Sequence, residues 1–318
     1  MVMVRAAEPA ADGGLSPDRH APDPIAAWMR GSPMELMLDC LPCLLRQSLE
    51  AARLATRDEA VQGAIMDEAM QVLVSHRTYA SAPELAAAIH AIVKQRTGQN
   101  DPYQEVKARD VAAALGLEPL IRRFVAGGPD VLLRALKTSA TGNVMDSALY
   151  TNLDIEACVT EELARPFAVA DLEPFEADLQ DASTVLIIGD NAGEAVFDEV
   201  LAEELSTHCD VLFAVRDQAI INDVTTQEAH AVGIDAHATV LSTGCAAPGA
   251  ILDSCGAQFR ALFDQADIVI SKGQGNFEAL SSAQRRMYFL LKAKCPRIAD
   301  ALSVDVGDYV LRLNSRLA

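Results

Sequence analysis

The stretch Thr184-Val-Leu-Ile-Ile-Gly-Asp-Asn-Ala-Gly-Glu-Ala-Val-Phe-Asp198 leaves the chain few choices of fold. Val185 to Ile188 is an unbroken β-branched and aliphatic run, the mark of a strand buried on both faces. Gly189 ends the run, and Ala192 to Glu194 opens a pattern with Val196, Val200, Leu201 and Leu205 apolar at helical spacing. A strand, a sharp turn and a helix put Asp190 and Asn191 at the carboxyl end of a sheet strand, where open α/β sheets bind their ligands. Two hard oxygen donors on adjacent residues suit a divalent cation such as Mg²⁺ or Mn²⁺. The residues alone also allow a plainer use, in which Asp190 or Asn191 caps the next helix.

Further short apolar runs follow at Val211–Val215, Ala238–Leu241 and Ile268–Ile270, with helical patterns between most of them, and Val310–Leu313 adds a late strand. Strands alternating with helices predict crossover units and a largely parallel sheet. The first half reads differently. A helix is expected from Cys40 through Arg53, then at about Asp58–Ser75, Pro83–Thr97 and Tyr103–Phe124, and no convincing strand precedes residue 150. Residues 1 to 33, punctuated by five prolines and without periodicity, read as a flexible extension. The expected organisation is therefore an extension over 1–33, a helical domain over 34–150 and an α/β domain over 151–318.

A formal charge of −19 argues against wrapping nucleic acid or lying on an anionic membrane. It does not forbid an anionic substrate, because a bound cation and a few lysines reverse the field locally. No apolar run approaches a membrane span, and residues 1–33 hold no signal-peptide core. A cytoplasmic setting is expected, in which the seven cysteines are mostly reduced thiols.

Other constellations lie at strand ends. Asn222-Asp223 again sets an amide beside a carboxylate just past a strand, and loops after neighbouring parallel strands share one rim. Asp190, Asn191 and Asp223 can then meet around one cation, or Asp223 can cap the helix that follows. The loop Ser242-Thr-Gly244, rich in small residues, can offer N–H groups to an anion, or supply turn residues. Lys272-Gly273 closes the fourth run, where a lysine can neutralise a phosphate or stand solvated. Asn143 and Asp146 share a helix face if a helix starts at Asn143, or form a capping pair. Cys40-Leu-Pro-Cys43 is half a zinc site, a redox pair, or two partly buried thiols at a helix entry. His90, inside an apolar helix, reads as a satisfied core residue.

In this order, Cys40-Leu-Pro-Cys43, Thr141-Gly-Asn-Val-Met-Asp146, Gly189-Asp-Asn-Ala-Gly-Glu194, Asn222-Asp-Val-Thr225, Ser242-Thr-Gly244 with Pro248-Gly249, and Lys272-Gly-Gln-Gly-Asn-Phe-Glu278 resemble the damage-control phosphatase family. The resemblance runs from about Met34 to the C-terminus, and the cysteine pair is typical of the family's prokaryotic branch. It implies a helical domain joined to a three-layer α/β/α Rossmann-like domain, with a metal-dependent phosphatase site between them. It implies a divalent cation, Mn²⁺, Co²⁺, Ni²⁺ or Mg²⁺, on Asp190, Asn191 and Asp223. Lys272 would contact the substrate phosphate, with Ser242, Thr243, Gly244 and Gly273 around it, and Asn143 and Asp146 would line the cleft from the helical side. Cys245-Ala246 departs from the small polar pair expected beside the substrate loop.

The expected activity is hydrolysis of phosphomonoesters of small metabolites, sugar phosphates or damaged phosphometabolites. Two other uses of such a site are a carboxyl methyltransferase using S-adenosylmethionine and a metabolite-binding protein without turnover. The first lacks a Gly-x-Gly-x-Gly turn after its opening strand.

Overall fold

The computed structural model describes residues 34, 36–145 and 154–314. The extension over 1–33 and Asp146 lie outside them. Among the described residues the first half is helical: α1 (Cys40–Ala55), α2 (Glu59–Val74), α3 (Ala82–Thr97), α4 (Gln104–Gly116), α5 (Glu118–Ala126) and α6 (Val131–Thr141). One helix expected over Tyr103–Phe124 is two. Gly116 ends α4, and Pro119, which has no N–H to donate, stands in the first turn of α5. After α7 (Ile155–Ala164) the chain alternates through β1 (Phe167–Ala170), α8 (Leu172–Asp181), β2 (Thr184–Ile188), α9 (Ala195–Ser206), β3 (Asp210–Val215), α10 (Thr226–Ala231) and β4 (Thr239–Ser242). It ends with α11 (Ala257–Gln265), β5 (Ile268–Lys272), α12 (Gly273–Leu280), β6 (Met287–Lys292), α13 (Pro296–Leu302) and β7 (Tyr309–Asn314).

The seven strands form one sheet in the order β1-β7-β6-β5-β2-β3-β4, parallel except for the β6–β7 pair. Side chains alternate across it because successive Cβ atoms point to opposite faces. Val185 and Ile187 enter one core with Val211, Phe213, Ile268 and Ile270. Leu186 and Ile188 enter the other with Ala214 and Val269. Each buried aliphatic chain of this size contributes roughly 1.5–3 kcal/mol, so a one-residue slip of β2 would forfeit contacts on both faces. Helices α6, α8 and α9 cover the first face, and α11, α12 and α13 the second, which makes three layers. Helix α6 precedes residue 150 yet supplies Ala135, Leu136 and Ala140 to the sheet core.

Helices α1 to α4 build two smaller cores of their own. They are fastened over the sheet's carboxyl rim by two lysines: Lys94 Nζ donates to Ala219 O over 2.5 Å, and Lys107 Nζ pairs with Glu228 over 2.8 Å. Ile221, from the loop after β3, packs among Ala51, Val93 and Tyr103 of this cap. No helix among the described residues is long and apolar enough to cross a membrane.

Candidate active site

From β2 the chain steps to β3 and β4 on one side, then returns to β5 on the other. The order reverses at β2, and the crevice beyond such a point is where open α/β sheets place ligands. Parallel register sets Ile188 beside Ala214 and Ser271, so the loops after β2, β3 and β5 leave the sheet on one rim.

Asp190, Asn191 and Asp223 do meet there. Val224 N donates to Asp190 O over 2.8 Å, Ala192 N donates to Asn222 O over 2.9 Å, and Asn191 bridges to Asp223. All three side chains are buried within tenths of full cover. Arg216, at the end of β3, reaches both carboxylates: its Nε donates to Asp223 Oδ2 over 2.7 Å, and its Nη2 lies 3.9 Å from Asp190 Oδ1. Neither plainer use holds. Helix α10 is capped by Thr225 and Glu228 as a capping box, and α9 begins at Glu194 with no side-chain cap.

The donors fit a hard divalent cation. Asn191 Nδ2 donates to Asn222 Oδ1 over 3.1 Å, which aims the amide and leaves its buried Oδ1 with no hydrogen-bond partner among the described residues. A buried acceptor without a donor is costly, and a cation satisfies it. Asp190 tells the same story, since burial, then the charges of Asp223 and Glu194, hold its carboxyl well above the usual carboxylate range against Lys294 and Arg216. Three oxygen donors and no sulfur or imidazole suit a hard divalent cation.

The motif Lys272-Gly-Gln-Gly-Asn276 organises this rim from below. Lys272 is fully buried, with its ammonium on Glu194, on Asp198 Oδ1 at 2.5 Å and on Ser139 O at 3.2 Å. Those two buried carboxylates raise its affinity for its proton. Burial in turn lifts Asp198 to about 6, with Lys272 opposing. The ammonium expected on the substrate phosphate is therefore turned inward, away from the cleft. Gly275 gives way to a backbone, because a β-carbon there would stand 1.9 Å from Pro248 O. Asn276 donates to Gly189 O and Lys272 O and accepts from Ala250 N, stapling three loops together.

The expected substrate loop is closed on itself. Thr243 N donates to Val215 O, Gly244 N to Ser242 Oγ and Cys245 N to Thr243 Oγ1, while Ser242 Oγ donates to Asp217. These amides are satisfied within the fold, and none of Ser242, Thr243 and Gly244 lines the cleft. No helix starts at Asn143. It lies in a 3₁₀ turn that continues α6, and its Nδ2 donates to Glu194 Oε2 over 3.1 Å.

A cleft of about 710 Å³ opens above Asp190, Asn191 and Asp223, between the rim and helices α1 and α3. Three basic residues not singled out from the sequence line it: Arg46 on α1, and Lys294 and Arg297 after β6. Lys294 acts on Asp190, and Arg297 on Glu278, whose carboxyl burial lifts to about 7. The missing signal was β6. Once Met287–Lys292 is a strand parallel to β5, Lys294 and Arg297 fall on the same rim. A second acidic group, Glu199, Glu203 and His237, has donor atoms close enough for a metal. Arg122 already joins its two glutamates, and none of the three lines the cleft.

Fold and site together define an α/β protein with two carboxylates and a carboxamide gathered at its sheet's switch point, roofed by helices. The damage-control phosphatase ARMT1-like domain matches residues 36–310. A damage-control phosphatase of Archaeoglobus fulgidus is 33% identical over 284 residues, 86% of this chain and 97% of its own. One of Pyrococcus horikoshii is 30% identical over 286 residues, 88% of this chain and 99% of its own. The crystal structure of a duf89 family protein from Pyrococcus horikoshii superposes with a TM-score of 0.82 at 30% identity, over 89% of this chain and all of that one. The chain belongs to the damage-control phosphatase family, and it is a phosphatase.

Proposed function

We propose that this phosphatase hydrolyses phosphomonoesters of small metabolites, sugar phosphates or damaged phosphometabolites, with a divalent cation held on Asp190, Asn191 and Asp223. The observation that carries the reading is Asn191 Oδ1, buried beside two carboxylates and without a donor among the described residues. A divalent cation bound there supplies charge against phosphoryl oxygens and lowers the pKa of a bound water. Mn²⁺, Co²⁺, Ni²⁺ and Mg²⁺ all suit the oxygen donors, with Mn²⁺ and Mg²⁺ first on hardness.

The chain's own residues divide the remaining work. Lys294 is exposed in the cleft and already acts on Asp190, so it meets an equatorial phosphoryl oxygen as a compact point charge. Arg216 holds Asp223 and Asp190 in place from behind. Lys272 pairs with Glu194 and Asp198 beneath the cradle and holds both side chains in place. Ala192 stands two residues after Asp190, so the second carboxylate of an Asp-x-Asp phosphatase is missing. Direct attack by water therefore ranks above a covalent aspartyl phosphate.

The test is turnover of a generic aryl phosphate across Mn²⁺, Co²⁺, Ni²⁺ and Mg²⁺, with a chelator as control. Full activity in Asp190→Ala, or turnover indifferent to chelation, removes the mechanism.

A further inference from the structure

The Lys272-to-Glu278 motif ends on a carboxyl that the packing around it does not explain. Gly273 opens α12 against Asp190, where a β-carbon would stand 2.0 Å from Oδ2. Gln274, Gly275 and Glu278 line the cleft, so one face of the helix runs along it. Glu278 comes five residues after Gly273. At 1.5 Å of rise per residue it lies about 7.5 Å along the axis from the Asp190 contact. That interval is of the order a phosphoryl group and its ester oxygen fill. Gln274 ties the same face to the loop after β6: its Oε1 accepts from Lys294 N over 3.4 Å, and its Nε2 reaches Cys295 Sγ over 3.5 Å.

Five carboxyls line the cleft: Asp39, Glu50, Asp190, Asp223 and Glu278. Arg216 holds Asp190 and Asp223, and Asp39 and Glu50 stand exposed at and on α1. Glu278 alone of the five is half-buried. Among the described residues it accepts one hydrogen bond, from Gln274 Nε2 at 3.5 Å, the long limit of such a contact. Arg297 of α13 acts on it without a salt bridge, and its charge in turn acts on the Cys40 thiol of α1. The residues that α3 brings to this wall, Ala82, Pro83 and Ala86, carry no charge. A carboxyl so enclosed holds its proton. Burial lifts it to about 7, with Gln274 and then Arg297 opposing.

We propose that Glu278 is the general acid that protonates the departing oxygen of the ester. Water attacks phosphorus and a new P–O bond forms. The ester P–O bond breaks and its electron pair stays on the ester oxygen, which takes the Glu278 proton and leaves as an alcohol. The attacking water keeps one proton on the phosphate and gives the other to solvent. The Glu278 carboxylate takes a proton back from solvent. One ester and one water thus give one alcohol and one inorganic phosphate. An alkoxide is a poor leaving group and needs this proton, whereas a nitrophenolate departs without it.

The inference rests on the phosphatase reading, and leaving-group dependence separates the two. The full chain is assayed with Mn²⁺ on para-nitrophenyl phosphate and on benzyl phosphate, esters of similar size. Glu278→Gln should keep kcat on the nitrophenyl ester within about threefold and lose about a hundredfold on the benzyl ester. In the parent alone, the benzyl-to-nitrophenyl rate ratio should fall as pH rises past about 7, because the proton to be donated is then gone. Carboxyl-carbon NMR of the glutamate-labelled chain should show a titration near that pH that Glu278→Gln lacks. Equal losses on the two esters, a rate ratio flat in pH, or a Glu278 midpoint below about 5 overturns the proposal. A parent that hydrolyses the nitrophenyl ester and leaves the benzyl ester intact has no working acid; that overturns the proposal and spares the phosphatase reading. A parent inert on both esters with every metal sinks the reading, and the proposal with it.

Discussion

Gly273 lies so close to Asp190 that a β-carbon built on it would stand 2.0 Å from Asp190 Oδ2 and 2.2 Å from Cγ. The residue also holds φ at +75°, in the left-handed region that side chains rarely adopt. Strand β5 thus ends by pressing bare backbone against the carboxylate that β2 delivers. Gly273→Ala must move one of the two. The expected result is a folded protein about 1–3 kcal/mol less stable, with metal affinity down at least tenfold by calorimetric titration. Metal binding unchanged within twofold would mean that Asp190 is not placed by this contact.

Lys272 is a matter of stability before catalysis. Its ammonium is the cation shared by Glu194 and Asp198, which are themselves almost wholly buried. Removing one member of a buried ion cluster leaves uncompensated charge and costs about 3–5 kcal/mol. Lys272→Met should lose that much in urea denaturation, and adding Glu194→Gln and Asp198→Asn should recover at least half. A lysine serving substrate alone would leave the unfolding midpoint in place and raise KM.

Lys294 should show the opposite signature. It is exposed, so Lys294→Met should change stability by no more than about 0.5 kcal/mol. Inhibition by inorganic phosphate should weaken about tenfold, equivalent to about 1.4 kcal/mol. An unchanged inhibition constant would take Lys294 out of the substrate's reach.

The convergence of Asp190, Asn191 and Asp223 could be read from the chain because its logic is local: an apolar run fixes a strand, and the next two residues must stand on the rim. Adjacency of β2 and β3 then brought in Asp223. What escaped were strands without a β-branched signature. Met287-Tyr-Phe-Leu-Leu-Lys292 follows two arginines and lacks valine and isoleucine, and Phe167-Ala-Val-Ala170 is short and alanine-rich. Losing β6 hid Lys294 and Arg297. The lysine of the Lys272 motif misled for another reason. Spacing puts a side chain at a strand end but does not say which way it turns, and two carboxylates from α9 and the loop before it draw this one inward. The same limit applied to Ser242–Gly244, whose amides close on neighbouring strands and hydroxyls.

His90 carries the prediction for acid. It lies in α3, 3% exposed, with its ring 6.1 Å from that of Tyr103 and its Nε2 unpartnered among the described residues. Burial, then the charge of Lys94, holds its imidazole down at about 4. In the unfolded chain a histidine titrates near 6.5. As pH falls through that value, the unfolded chain takes up a proton that the folded chain refuses until about 4. Stability present above pH 6.5 or so is therefore lost progressively across that window, by on the order of 3 kcal/mol. Urea denaturation between pH of about 7 and 4 should show His90→Leu losing less stability than the parent by that order. Because α3 also supplies Pro83 and Ala86 to the cleft wall, amide exchange over residues 82–97 should quicken in acid before the sheet strands respond. Identical pH slopes for parent and variant would mean that the imidazole gains a proton in the folded roof as easily as in water.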